Sequence, residues 1–126
     1  MIYTSYFGRV KSLPYDVIPI AICGKAPEWW SGLIYKKLAP PYSTFANYKR
    51  DGNWEQYVKE YNEKLSGMNP KDVISELCLL ADIDNTKDSS IALLCYEKPG
   101  DNCHRHLVAN WFKEAGIMCE EYNIYN

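Results

Sequence analysis

The sequence predicts an α/β protein: one small domain over residues 1–126, with a mostly parallel sheet of about four to five strands flanked by helices, in a Rossmann-like arrangement. Two observations lead to this fold class. Short apolar, β-branched runs alternate with segments of helical periodicity, an order typical of parallel sheets with right-handed crossovers. The length of 126 residues suits one domain, and no repeat, low-complexity tract or linker interrupts the chain.

The first half of the chain is predicted to contain two strands and a long connection. Ile2 to Phe7 is aromatic and β-branched, and the apolar run from Asp16 to Cys23 suits a strand buried on both faces. Pro19 removes a donor from that second strand, so we expect it at a bulge or on an edge. Residues 27–49 are rich in aromatic residues and proline, and we expect a packed connection with one short helix around 31–38.

The second half of the chain is predicted to contain three helices and two strands. Apolar side chains recur on one face from Asn53 to Leu65 and from Pro70 to Leu80, and an N-capping asparagine opens or precedes each helix. Ile91 to Tyr96 predicts a buried strand, Cys103 to Ala115 an amphipathic helix, and Ile117 to Tyr122 a final strand. Parallel α/β sheets bind ligands beyond the carboxyl ends of their strands, so a site is expected there.

Basic residues collect where the last predicted helix begins. His104, Arg105 and His106 stand in its first turn, although cations at a helix N-terminus cost about 0.3–1 kcal/mol each. A bound anion is the simplest compensation, because free N–H groups at helix N-termini bind phosphate or carboxylate. We therefore predict that His104 and Arg105 bind a phosphate-bearing ligand. Arg9 and Lys25, which follow the first two strands, are expected as outer contacts.

Cys103 is the candidate catalytic nucleophile, because a thiol at a helix N-terminus beside cationic side chains has a lowered pKa. The competing interpretation is that Cys103 is only a small packing residue. Glu97 is the candidate general acid or base, and a structural ion pair between Glu97 and Arg105 is its alternative. Cys95 lies near the end of the apolar run that begins at Ile91. This position suits the core, and we also count Cys95 among the candidate ligand-binding residues.

No metal site and no cofactor are predicted. The spacing of Cys95, Cys103, His104 and His106 matches no standard zinc pattern, and adjacent side chains on a helix point in different directions. The chain also lacks a C-x5-R loop, a G-x-x-x-x-G-K-[ST] loop and a G-x-G-x-x-G turn after the first strand. These absences exclude cysteine-phosphatase and P-loop chemistry of the usual kind.

The composition narrows the classes of partner. A formal net charge of −2 leaves no broad basic field for nucleic acid, although a local basic patch is compatible with it. No apolar run approaches the ~20 residues that span a bilayer, and a signal-peptide pattern is absent, so we expect a cytoplasmic protein with no membrane partner. The five cysteines include no C-x-x-C pair, which argues against a secreted disulfide framework.

The aromatic segment offers a second way to hold a nucleotide or nucleic acid. Trp29, Trp30 and Tyr48 lie near Lys36 and Lys49 in the sequence. Rings interleaved with basic residues stack on nucleobases while the cations hold phosphates. The competing interpretation, which we expect for most of these rings, is that they pack the long connection onto the sheet.

The segment from Ala92 to Leu107 resembles the hallmark of the domain of unknown function 488 family: an apolar strand, Cys-x-Glu, a short loop, and Cys-His-Arg opening a helix. The matching positions are Cys95, Glu97, Cys103, His104 and Arg105. The resemblance implies an intracellular α/β protein of prokaryotic or phage type with links to nucleic-acid metabolism. It implies no particular reaction.

Three functions follow, in this order of preference. The first is binding of a phosphate-bearing ligand, a nucleotide or nucleic acid, at the strand ends and helix N-terminus. The second is an enzyme that uses Cys103 as an activated thiol nucleophile on such a ligand. The third is a protein-interaction module that docks through the aromatic segment. The sequence leaves the ligand, the reaction and the oligomeric state open.

Overall fold

The computed structural model describes residues 1–97 and 101–122. Its strands are Ile2–Tyr6 (β1), Val17–Ala21 (β2), Leu33–Ile34 (β3), Ser90–Cys95 (β4) and Cys119–Glu121 (β5). Its α-helices are Tyr42–Asp51 (α1), Trp54–Ser66 (α2), Pro70–Ala81 (α3) and His104–Glu114 (α4), with 3-10 helices at Phe7–Ser12 and Lys36–Leu38. The strands form one parallel sheet in the order β3-β2-β4-β1-β5, which confirms the predicted fold class.

The two faces of the sheet are covered differently. All four α-helices contribute side chains to the larger core, which packs on the face that carries Ile2, Ile20 and Leu93. The opposite face carries Ala92 and Leu94 and is covered by the 3-10 helix after β1 and the loop after β2. Both faces of β4 are therefore buried, which explains its unbroken apolar sequence.

The centre of the sheet places the end of β4 beside the end of β1. Tyr6 and Cys95 are partners in the parallel register, and Cys95 shares the helix-covered face with Leu93 by strand alternation. The helix α4 then returns along this face, and its N-cap residue is Cys103. Because the strands run parallel, Cys95 at the end of β4 and Cys103 at the start of α4 lie at one edge of the sheet.

Residues 27–49 are more regular than the sequence analysis expects. They contain β3, a 3-10 turn at Lys36–Leu38 and most of α1, whereas a long connection with one short helix around 31–38 was the expectation. The aromatic residues Tyr42, Phe45 and Tyr48 recur every three positions after Pro41, which is helical spacing. The density of proline just before this run hides the helix from a composition-based prediction.

Pro19 lies inside β2, the strand that stands between β3 and β4 in the sheet. It pairs with Ala92 of β4, but β3 pairs only with Ile20 and Ala21. At Pro19 the strand therefore has a neighbour on one side only, so the missing N–H is tolerated as it is on an edge.

The predicted helix starts are confirmed for α2 and α3. The Asn53 side chain accepts a hydrogen bond from the Gln56 backbone N–H at 3.1 Å, and Asn69 accepts one from the Lys71 backbone N–H at 2.9 Å.

Within the described ranges, no helix has the length and apolar character required to cross a bilayer.

Candidate active site

Cys95 and Cys103 are joined by a disulfide between the end of β4 and the start of α4. Both residues are buried, with 1% and 3% of their surface exposed. Because Cys103 is the N-cap residue, its backbone is extended (φ −150°, ψ 144°) and its side chain turns back toward the sheet. The sequence analysis places Cys95 in the core or among ligand-binding residues and does not pair it with Cys103. The three other cysteines, Cys23, Cys78 and Cys119, are free and buried.

Arg105 is completely buried and fully engaged within the chain. Its Nε and Nη2 atoms donate to the two carboxylate oxygens of Glu121 at 3.0 Å each. Its Nη1 donates to the backbone carbonyl of Glu97 at 2.6 Å and to the Cys95 sulfur at 3.1 Å. The guanidinium also lies 5.5 Å from the ring centroid of Tyr6.

This arrangement changes the role expected for Arg105. From the sequence we expect an unpaired cation that attracts an anion, but a bidentate carboxylate of the same chain matches the charge of Arg105. The alternative ion pair with Glu97 is also absent from the described contacts, because Glu97 meets Arg105 through its backbone carbonyl. The guanidinium also donates to the Cys95 sulfur, and this contact would stabilise a thiolate there once the disulfide is reduced.

His104 is a neutral imidazole held in one tautomer. Its Nε2 lies 2.7 Å from the Ile22 carbonyl, and since a carbonyl only accepts, Nε2 carries the proton. The lone pair on Nδ1 then faces the Cys103 sulfur at 3.9 Å. Burial lowers the pKa of His104 to about 4, and the charge of Arg105 acts in the same direction.

A pKa this low makes His104 a poor general base for a thiol. An ordinary cysteine has a pKa near ~8.5, so proton transfer to His104 is uphill by roughly 6 kcal/mol. His104 is therefore disfavoured as a base that removes the proton of Cys103. His104 instead lies against the Cys103 sulfur, and in the reduced chain its Nδ1 would accept a weak hydrogen bond from the Cys103 thiol.

Glu97 is half-buried and lies at the rim of the site. Burial raises the pKa of Tyr57 on α2, and the charge of Glu97 adds to the increase. Burial likewise raises the pKa of Cys23 after β2, where Glu97 again adds to the effect. The Glu97 carboxylate therefore lies close enough to Tyr57 and Cys23 for its charge to act on both, and it makes no hydrogen bond to either bonded cysteine among the described contacts.

The remaining predicted residues lie farther out. Arg9 is half-buried in the 3-10 helix after β1, and Lys25 is exposed in the loop after β2. Neither makes a described hydrogen bond to the cysteine pair. Lys98, which follows Glu97 in the sequence, lies outside the described residues. His106 is partly buried, and its Nε2 has no described hydrogen-bond partner.

Glu121 is the site residue that sequence reasoning misses. It lies two positions after the buried Cys119, so strand alternation turns it to the same covered face of the sheet. A carboxylate at an inward-facing position of a strand requires a partner. That signal was available in the sequence, but it names no partner by itself.

A groove of about 430 Å³ lies beside the end of β1. Its lining residues are Phe7, Gly8, Val10, Lys11 and Trp29. The Phe7 ring centroid lies 5.1 Å from that of Tyr96, the residue after Cys95, so the groove lies at the same end of the sheet but on the face opposite the cysteine pair. Trp29 is 59% exposed, whereas Trp30 packs on the sheet and donates its indole N–H to the Leu33 carbonyl.

One comparison with known proteins finds a match. The family model described as the active DUF488-N3 subclade matches residues 9–116, which include both bonded cysteines. No curated protein and no solved structure shows a significant match to the chain.

Proposed function

We propose that this chain, which belongs to the DUF488 family, is a thiol-dependent enzyme. The match to the active N3 subclade and the Cys-x-Glu and Cys-His-Arg segments both support the family assignment. In this proposal the Cys95–Cys103 dithiol reduces an electrophilic substrate by two electrons. The observation that carries it is the contact between Arg105 and Cys95 beside a second cysteine within bonding reach. The description of the subclade as active also favours an enzyme.

Cys95 performs the first step. The Nη1 of Arg105 stabilises an anionic sulfur at 3.1 Å, whereas Cys103 faces a neutral imidazole that gives its thiolate no such charge. The Cys95 thiolate attacks the electrophilic atom of the substrate and forms a covalent bond to it. The leaving group departs with the bonding electron pair and takes a proton from solvent.

Cys103 performs the second step. Its sulfur attacks the Cys95 sulfur and forms the disulfide, while the reduced substrate leaves with the electron pair and the Cys103 proton. The substrate gains two electrons and the two cysteines lose them. A dithiol reductant of the cell restores the starting state, and the expected cytoplasmic location would supply one. Tyr96 and Asn102, the sequence neighbours of the pair, are exposed, so each buried cysteine adjoins a surface residue along the chain.

The test uses the reduced protein and an aromatic disulfide, 5,5′-dithiobis(2-nitrobenzoate), as the electrophile. The wild-type chain is expected to release two equivalents of thionitrobenzoate and to form the Cys95–Cys103 disulfide. The variant Cys103→Ser should release one equivalent and keep the adduct on Cys95, as peptide mapping by mass spectrometry would show. Cys95→Ser should react more slowly, by at least about tenfold.

The matched control is Cys23→Ser, because Cys23 is also buried beside the site but is free. It should behave as the wild-type chain does. An adduct on Cys103 in the wild-type protein, or equal rates for the Cys95→Ser variant and the wild type, would overturn the proposal.

The groove beside β1 favours a second, compatible function: binding of a phosphate-bearing aromatic ligand, such as a nucleotide. Trp29 presents an exposed ring for stacking, and Lys11 supplies a cation for the phosphate. Calorimetry with adenosine 5′-monophosphate tests this. Trp29→Ala and Lys11→Ala should each weaken binding by roughly tenfold, since a stacked base contributes about 1–3 kcal/mol. Lys71→Ala, at the start of α3, is the control, and equal affinities for all four proteins would refute the groove.

A further inference from the structure

We propose that the reduced cysteine pair and His104 bind a thiophilic divalent cation, with Zn²⁺ as the representative ion. The inference goes beyond the proposed function, because it concerns a metal-bound form of the dithiol. One sulfur from each cysteine and one ring nitrogen of His104 all lie within 4.8 Å of one another, and all three residues are buried. Two thiolates and one imidazole are a donor set that zinc sites use.

The backbone leaves room for an ion between the two sulfurs. The Cα atoms of Cys95 and Cys103 are 7.2 Å apart, whereas disulfides usually span roughly 4.4–6.8 Å. Zinc–sulfur bonds of ~2.3 Å in a tetrahedral site place two sulfurs roughly 3.7 Å apart. In the reduced chain, sulfurs at about that separation would fit the wide spacing of the two Cα atoms.

The histidine is already in the form that a metal requires. Its Nε2–H donates to the Ile22 carbonyl, so the lone pair is on Nδ1, the atom that faces Cys103. A backbone carbonyl on the second ring nitrogen is the usual way in which proteins orient a metal-binding histidine. The sequence analysis rejects this site because adjacent helical side chains diverge, but Cys103 is the extended N-cap residue rather than part of the helix.

The charges of the site favour a divalent cation. Two buried thiolates carry two negative charges, whereas Arg105, which also pairs with Glu121, contacts only the Cys95 sulfur of the two. An ion of charge +2 neutralises the pair, whereas without it the two sulfurs repel each other when both are deprotonated. Three protein ligands leave a fourth position for water or another small ligand.

The test is a titration of the reduced protein with Co²⁺ as a spectroscopic probe, followed by displacement with Zn²⁺. We expect one ion per chain, with the visible bands of tetrahedral Co²⁺ and a near-ultraviolet thiolate-to-metal charge-transfer band. Metal affinity should fall by more than about 100-fold in each of the variants Cys95→Ser, Cys103→Ser and His104→Gln. This loss is larger than the one expected when a residue that contacts a ligand, but not the metal, is substituted. Cys119→Ser, a buried free cysteine elsewhere on the sheet, should bind as the wild type does.

The oxidised wild-type protein provides a comparison that needs no substitution. Once the disulfide has formed, the chain should lose both the charge-transfer band and its one bound ion. Equal binding by oxidised and reduced protein, or wild-type affinity in folded His104→Gln, would overturn the site.

Failure of the metal site differs from failure of the proposed enzyme. A reduced wild-type chain that releases two equivalents of thionitrobenzoate but shows no Co²⁺ bands would leave the thiol enzyme intact and overturn the metal site. If instead Cys103→Ser traps no adduct while the reduced wild type binds Co²⁺, the metal site stands and the thiol enzyme does not.

Discussion

At the scale of residues, the buried pair of Arg105 and Glu121 determines what the candidate site can do. The guanidinium is held by both carboxylate oxygens, by the Glu97 carbonyl and by the Cys95 sulfur. Four fixed contacts leave Arg105 no freedom to follow an incoming anion. Its positive charge instead acts on the one contact that is chemically reactive, the sulfur of Cys95.

Substituting Glu121 with Gln should destabilise the protein. Removing one partner of a buried ion pair leaves an uncompensated charge and typically costs 3–5 kcal/mol, and we expect about 3 kcal/mol because Glu121 keeps some solvent contact. Urea unfolding of the variant and the wild type measures this difference. Glu120→Gln, on the opposite face of the same strand, should change the free energy of unfolding by less than about 0.5 kcal/mol. Equal losses for the two variants would contradict the role of the pair.

His104 should make the stability of the metal-free protein fall in mild acid. Burial holds its folded pKa at about 4, below the ~6.5 of the unfolded chain, so the unfolded state binds the proton first as the pH falls. The contribution is complete above pH ~6.5 and is lost as the pH falls to ~4, a change of about 3 kcal/mol.

The measurement is the difference in unfolding free energy between wild type and His104→Gln from pH 7 to pH 4. The gap should narrow as the pH falls, because the variant lacks the titrating group. A gap that stays constant over this range would show that His104 titrates normally in the folded chain.

At the scale of elements, the N-cap residues of α2 and α4 differ in what their side chains do. Asn53 caps α2 with its side chain, as an asparagine should, whereas Cys103 makes no side-chain cap on α4. Cys103 therefore adds no side-chain hydrogen bond to the start of α4. The next two residues, His104 and Arg105, are buried and hydrogen-bonded to other elements.

Asn53→Ala should lower the free energy of unfolding by about 1 kcal/mol, since the Gln56 backbone N–H loses its acceptor. Thermal unfolding measures the loss. Asn110→Ala, at an exposed interior position of α4, is the control and should not destabilise the chain, because alanine favours helix. A cap variant as stable as this control would mean that α2 starts independently of Asn53.

At the scale of the whole molecule, the sequence predicts the sheet and the position of the site at its strand ends. It predicts less well which site residues pair with one another. Alternating strands and helices predict the parallel order, and parallel strands bring Cys95 close to the start of α4. The helix α1 and the short strand β3 are missed, because prolines and aromatics obscure their periodicity. The partnership of Arg105 with Glu121 is missed because the two residues meet only after β5 joins β1.

The pairing of Cys95 with Cys103 is also a property of the whole fold. Cys95 belongs to an apolar run that any buried strand could contain, and nothing in that run distinguishes a reactive sulfur from a packing one. Only the N-cap position of Cys103 and the end of β4 together bring the two sulfurs into contact. The distinction depends on tertiary structure rather than on spacing.

In the proposed reaction Cys95, beside Arg105, is the thiol that attacks first. This order can be measured by substoichiometric alkylation of the reduced wild-type protein with iodoacetamide, with the labelled peptide quantified by mass spectrometry. Cys95 should be labelled ahead of Cys103 and ahead of the free cysteines Cys23, Cys78 and Cys119. Labelling of Cys103 first, or of Cys95 no faster than the free buried cysteines, would contradict it.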